Sequence, residues 1–176
     1  MYLLIAMAKK RSEIANLELD STDWRILGQL QEDAHVSNVE LAENVHLSPS
    51  PCLARVRALE RKGFINRYVA LLSPEAVGLG VSVFVQVRLE RQIESSLKTF
   101  EKAMTGRQEV MECYLMTGTS DYLLRVLVKD LMEFQRFVTD LTKIAGVGNI
   151  QSSIALKEVK CQTALPLPFA GIHSAE

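Results

Sequence analysis

Little in this 176-residue sequence points to covalent staples, metal or membrane. Its three cysteines, Cys52, Cys113 and Cys161, are widely spaced and odd in number. That excludes a disulfide framework and a paired-cysteine zinc pattern, and it suits a reduced cytoplasm. The three histidines, His35, His46 and His173, stand apart from the cysteines and from one another, so no metal-ligand set is offered. No apolar run approaches the roughly 18 residues of a membrane span. Charge of one sign is missing too: the formal net charge is −1, so no global field draws the chain to a polyanion. No nucleophile-base set and no phosphate-binding glycine loop can be picked out, which argues against an enzyme. With 48% hydrophobic and 23% charged residues the chain reads as an ordinary soluble globular protein of one large or two small domains.

What positive charge there is sits in one place. Between Ser48 and Tyr68 stand Arg55, Arg57, Arg61, Lys62 and Arg67 against a single Glu60. The preceding residues supply a scaffold for it. Ser37 and Glu40 have the S-x-x-E spacing of a capping box, so a short helix is expected from Asn38, with Val39, Ala42 and Val45 on its packed side and Leu41 flanking them. It must end at His46-Leu47-Ser48, because Ser48 is an N-cap and Pro49 then falls at the first position of a second helix, where its missing donor costs nothing. Pro51 is tolerated within the same first turn. Wound at about 100° per residue, the second helix puts Cys52, Leu53, Val56 and Leu59 on one side. Ser50, Pro51, Ala54, Arg55, Arg57, Ala58 and Arg61 fall on or near the other. Small residues there allow close approach, while arginines reach outward. A major groove admits such a helix, and a guanidinium pairs bidentately with guanine. The candidate DNA-contacting residues are Asn38, Ser48, Ser50, Pro51, Arg55, Arg57 and Arg61.

A first helix is expected behind this pair, capped by Asp20 with Asp23 three residues on, carrying Trp24, Leu27 and Leu30 with Ile26 beside them, and closing near Glu32-Asp33. The apolar run Tyr2 to Ala8, followed by Lys9, Lys10 and Arg11, has the wrong order for a secretory signal and is read as a flexible extension, with Met7 an alternative start. After Lys62-Gly63, Phe64-Ile65 and Tyr68 to Leu72 look extended. From Ser73-Pro74 the pattern changes. Val81 to Leu89 alternates apolar with polar, Ile93 to Met104 has helical spacing, and Val110 to Thr117 and Asp121 to Lys129 are strands about a Gly118-Thr119-Ser120 turn. Leu131 to Ile144 is a second amphipathic helix, and Ile150 to Val159 a last strand. Strand, helix, strand, strand, helix, strand is the ferredoxin-like order, in an α+β chain whose first part is a three-helix, winged helix-turn-helix domain. The expected division is 1–18 extension, 19–66 helix-turn-helix, 67–80 linker, 81–160 ferredoxin-like domain and 161–176 tail, in which Ala164 and Leu165 could add an edge strand. So small a sheet, apolar on more than one side, implies a homodimer with sheets packed together.

The run N-V-E-L-A-E-N-V-H-L-S-P-S-P-C-L-A-R-V-R-A-L-E-R-K-G-F-I, then Y-V-A-L-L-S-P, E-C-Y-L-M-T-G-T-S-D-Y-L-L-R-V and L-K-E-V-K, resembles the Lrp/AsnC family of feast/famine regulators over Leu19 to about Val159. The resemblance implies a cytoplasmic, nucleoid-associated bacterial or archaeal transcription regulator that binds double-stranded DNA. It further implies dimers paired through the segment around Arg67 to Leu72 and assembled into octamers or hexadecamers. A small amino acid, leucine- or methionine-like, would bind between dimers as effector, with no other cofactor. By the same resemblance the effector-binding residues are Leu115, Gly118, Thr119, Asp121, Tyr122, Leu131, Ser152, Ser153 and Ile154. In the G-x-x-D-Y motif the Asp121 carboxylate is expected to take the ligand ammonium and the loop amides its carboxylate. Ser153 stands where the leucine-responsive branch has tyrosine and Leu131 where it has methionine, which alters the pocket's shape. A different class of reading is an architectural protein that wraps DNA without a ligand.

Overall fold

The structure, a computed structural model, describes residues 19–168; the N-terminal extension, the alternative start at Met7 and His173 lie outside the described residues. The described residues divide into two compact units, one holding 19–70 together with 161–168, the other Leu71–Lys160.

The first unit is three helices, α1 (Ser21–Glu32), α2 (Asn38–Asn44) and α3 (Pro49–Arg61). Asp20 caps α1 by accepting from the N–H groups of Thr22 at 2.9 Å and Asp23 at 2.8 Å, and Asp23 accepts in return from the Asp20 N–H. This reciprocal box satisfies donors that no carbonyl of the helix can reach. At α2 only half of the expected box forms among the described residues: the Ser37 hydroxyl accepts from the Glu40 N–H at 3.2 Å, while Glu40 is exposed and water competes for its carboxylate. Ser48 occupies the N-cap of α3 with Pro49 beside it, but its hydroxyl makes no capping bond. Pro49 has already removed one donor and fixed the backbone dihedral, so less depends on the cap. Ile26, Leu41, Ala42, Val45, Cys52 and Leu59 form the buried core. Two expectations are corrected here. Val39 and Leu53, assigned to packed sides, are exposed, and Ile26 is the fully buried residue of α1, with Leu27 and Leu30 only half-buried around it. His46, in the turn between α2 and α3, has φ 59°, a left-handed conformation unusual for a residue with a side chain.

No strand forms between Arg61 and Val81, so the wing and the extended segment Tyr68 to Leu72 have no partner within one chain. Tyr68 instead donates from its hydroxyl to Glu60 Oε1 at 3.0 Å. Nor does the tail add an edge strand. The Gln31 side chain of α1 donates to the Leu165 carbonyl and accepts from the Leu165 N–H, both at 2.9 Å, and so satisfies the backbone as a strand would.

The second unit has β1 (Val81–Leu89), α4 (Glu94–Thr105), β2 (Val110–Leu115), β3 (Tyr122–Val128), α5 (Leu131–Leu141) and β4 (Val147–Ile154). The antiparallel sheet runs in the order β2-β3-β1-β4, which is the ferredoxin-like fold. Val83, Val85, Val87 and Leu89 are buried against Phe100 and Met104 of α4 and Phe137 and Leu141 of α5. Full burial of each such side chain is worth about 1.5–3 kcal/mol before entropy is counted. Phe84, Gln86 and Arg88 point from the other face, which carries no helix and leaves Phe84 and Tyr114 exposed. Strand β4 begins three residues earlier than expected and ends at Ile154, not Val159. Its partner β1 starts at Val81, and the Ala155 N–H to Ser82 carbonyl bond is the last the sheet can supply. Strand β2 likewise stops at Leu115: Met116 still donates to the Asp121 carbonyl, but the Asp121 N–H donates to the Val87 carbonyl of β1, so the next rung is not completed.

Candidate functional site

Helix α3 presents its cationic side through a simple rotation. Cys52 and Leu59 face the core, and Ser50, Pro51, Arg57 and Arg61 are exposed opposite them. Arg57 and Arg61 make no ion pair or hydrogen bond with any described residue. Two other expected DNA contacts are otherwise engaged. Arg55 Nη1 lies 2.6 Å from Asp20 Oδ2 and 2.8 Å from Asp23 Oδ1, joining α3 to the capped start of α1. These carboxylates hold the guanidinium pKa above its ordinary value, Asp23 most strongly. The Asp23 N–H first and the Arg55 charge with it keep the Asp20 carboxyl below the usual carboxylate range. Asn38 donates from its side-chain amide to the Pro49 carbonyl at 2.9 Å, pinning the start of α2 to the start of α3. Neither engagement can be read from a local pattern, because the partners lie 35 and 11 residues away.

In the second unit the G-x-x-D-Y segment forms the tight β2–β3 connection, with Gly118 at φ 120°, a conformation that favours glycine. The Asp121 side chain, expected to take a ligand ammonium, does not face solvent. It is 5% exposed, Oδ2 accepts from the Leu89 N–H at 2.6 Å, and Oδ1 accepts from the Gln92 amide. The reason is positional. The β1–β3 ladder ends at the Val87–Tyr122 rung, so no strand carbonyl faces Leu89 and the Asp121 side chain takes that place. Tyr122 is also turned inward, its ring 4.5 Å from that of Phe100 and its hydroxyl donating to Glu101 Oε1 at 3.0 Å. Burial, then Glu101, pushes its phenol well above the ordinary value. Both side chains are thus engaged by partners within the chain.

The remaining expected effector residues are dispersed. Leu115 borders a cavity of about 310 Å³ between α4 and β2, with Glu101, Arg107, Cys113 and Tyr122. Thr119 borders another, of about 220 Å³, with Gln86, Arg88, Asn149 and Gln151. Register puts Ser152 and Ile154 beside Val85 and Val83 on the helix-bearing face and Ser153 beside Phe84 on the open face. Leu131 is exposed at the start of α5. One chain therefore gathers no single pocket from these residues. No group of His, Cys, Asp and Glu among the described residues is arranged to hold a metal ion, and no described helix is long and apolar enough to cross a membrane.

Residues 19–66 match the model of a winged helix-turn-helix DNA-binding domain and residues 82–165 that of the Lrp/AsnC ligand binding domain. The Bkd operon transcriptional regulator of Pseudomonas aeruginosa is 46% identical over 151 residues, covering 85% of this chain and 99% of its own. The leucine-responsive regulatory protein of Escherichia coli K12 is 40% identical over 144 residues, covering 81% and 88%. Among solved structures, a transcriptional regulator of Neisseria meningitidis in complex with L-Met superposes with a TM-score of 0.83 at 45% identity, over 86% of this chain and 98% of that one. An AsnC family regulator of Agrobacterium tumefaciens does so at 0.80 and 37%, over 84% and 97%.

Proposed function

This chain belongs to the Lrp/AsnC family of DNA-binding transcription regulators, which are not enzymes, and on that premise we propose that it reads operator DNA with α3 under the control of a small amino acid. The observation that carries the reading is the unpartnered pair Arg57 and Arg61 on the exposed side of a helix whose start is built from Ser48, Pro49, Ser50 and Pro51. The arginines are suited to base edges and phosphates, and the serines with the free N–H groups of the first turn to phosphates. Two copies in a dimer would address half-sites about 34–36 Å apart, or a multiple of that.

The effector is a leucine- or methionine-like amino acid held between copies. Support comes from the dispersal of Leu115, Thr119, Leu131 and Ser152 to Ile154 over both faces of the sheet, which leaves any pocket to be completed by a neighbour. The backbone amides around Gly118 and Thr119 would bind its carboxylate, with Asp121 and Tyr122 holding the loop's shape from within. Dimers form through the helix-free face bearing Phe84 and Tyr114 and join into an octamer or hexadecamer, working in the cytoplasm at the nucleoid. The test has two arms. A duplex recovered from a random pool by the full-length protein should shift in a gel, and thermal-shift screening of the standard amino acids should raise the melting temperature for a small apolar one. Stabilisation by none of them, with DNA binding intact, overturns the effector and favours an architectural protein.

A further inference from the structure

We propose that Arg55 is a positioning residue, which holds the reading helix at its working pitch against α1 and does not itself touch DNA. The proposal rests on the DNA-reading role of α3 given above. Its basis is that every carboxylate oxygen around Arg55 already has a partner. Asp20 Oδ1 accepts from the Thr22 and Asp23 N–H groups, and Asp23 Oδ2 from the Asp20 N–H. Each acid thus has its other oxygen, Asp20 Oδ2 and Asp23 Oδ1, aimed at the Arg55 guanidinium. The two acids are fixed by the helix they cap before Arg55 arrives, so little ordering remains to be done when the bonds form.

Moving Arg55 onto a phosphate would leave two carboxylates unpaired beside a polyanion, a like-charge juxtaposition the reader would have to overcome. Rotation says the same. At about 100° per residue Arg55 lies roughly 60° from the buried Cys52, whereas Arg57 and Arg61 lie roughly 140° and 180° from it. Arg55 is thus on the flank that meets α1, and the other two are on the open side. Asn38 braces the same helix at its first residue, nearly two turns earlier, through the Pro49 carbonyl. Two struts fix the reader, and the arginines beyond them are free to read.

The salt dependence of binding separates the roles. A duplex recovered from a random pool by the wild-type full-length protein is titrated by fluorescence anisotropy across a salt series. Arg57→Ala and Arg61→Ala should each flatten the slope of log K against log salt by about 0.9 for each phosphate that the arginine neutralises. Arg55→Ala should keep the wild-type slope and lower affinity by one constant factor at every salt concentration. Its melting temperature should fall, and adding Asp23→Asn should lower it little further, since the partners form one unit. If Arg55→Ala fails to fold by circular dichroism, Arg55→Met, which keeps the packed stem, gives the same comparison. An Arg55 variant that is folded and flattens the slope as Arg57→Ala does overturns the proposal. A wild-type protein that recovers no duplex is a different result, and sinks the reading beneath it.

Discussion

Replacing Asp121 tests whether this residue is a buried tie or a ligand contact. In Asp121→Ala the Gln92 amide, at an exposed residue, regains water, but the Leu89 N–H does not, because Leu89 is 4% exposed. Hydrogen bonds to charged acceptors are worth about 1.5–3 kcal/mol, and a buried donor left unpaired costs about 1–3 kcal/mol. The expected loss is therefore about 2–3 kcal/mol, a large share of the roughly 5–15 kcal/mol that holds a domain folded. Asp121→Asn keeps an acceptor for Leu89 and forfeits only the charge assistance, so it should lose about 1 kcal/mol. Urea unfolding at one fixed protein concentration measures both, through the midpoint at unchanged slope. A loss below about 0.5 kcal/mol for the alanine variant, the range of an ordinary surface substitution, refutes the tie. So does an asparagine variant as stable as wild type that no longer shows the thermal shift given by an amino acid, because the carboxylate would then belong to the ligand.

Phe100 is fully buried against Tyr122, and Phe100→Ala should cost about 3–5 kcal/mol in the same urea assay. Cys52 is fully buried and burial pushes its thiol above the ordinary value, so an aromatic disulfide reagent should label at most Cys113 and Cys161 in the folded protein and all three cysteines after unfolding. Burial, and then Glu60, pushes the Tyr68 phenol up to about 12 from its ordinary 10, so its contribution to stability is complete below pH 10 and disappears as pH rises toward 12. Tyr68→Phe should flatten that alkaline limb in melting temperature against pH; an unchanged limb would assign it to other groups.

Periodicity and capping chemistry carried most of the fold into view, because both are local. Asp20 and Pro49 each act within one helical turn, and the valines of β1 report one face of a sheet by alternation alone. What stayed hidden depends on distant partners. The end of β4 is set by where β1 begins, and the inward turn of Asp121 by the absence of a strand carbonyl opposite Leu89. For the site, the sequence showed which residues could bind and not which were already engaged. Arg55 and Arg57 look alike as letters two positions apart, yet one meets two carboxylates at 2.6 and 2.8 Å and the other has no partner among the described residues. Under the proposed function the motif around Gly118 supplies the effector loop, while the side chains closing any pocket belong to more than one copy.

The left-handed His46 leaves the α2–α3 corner with stability held in reserve. An L-residue in that well costs roughly 1–2 kcal/mol, and glycine sits there at no steric cost. His46→Gly should therefore raise the melting temperature of the helical unit while leaving the exposed side of α3 untouched. The corner is a place where evolution, or an engineer, can retune how firmly the helices are clasped without rewriting which bases are chosen.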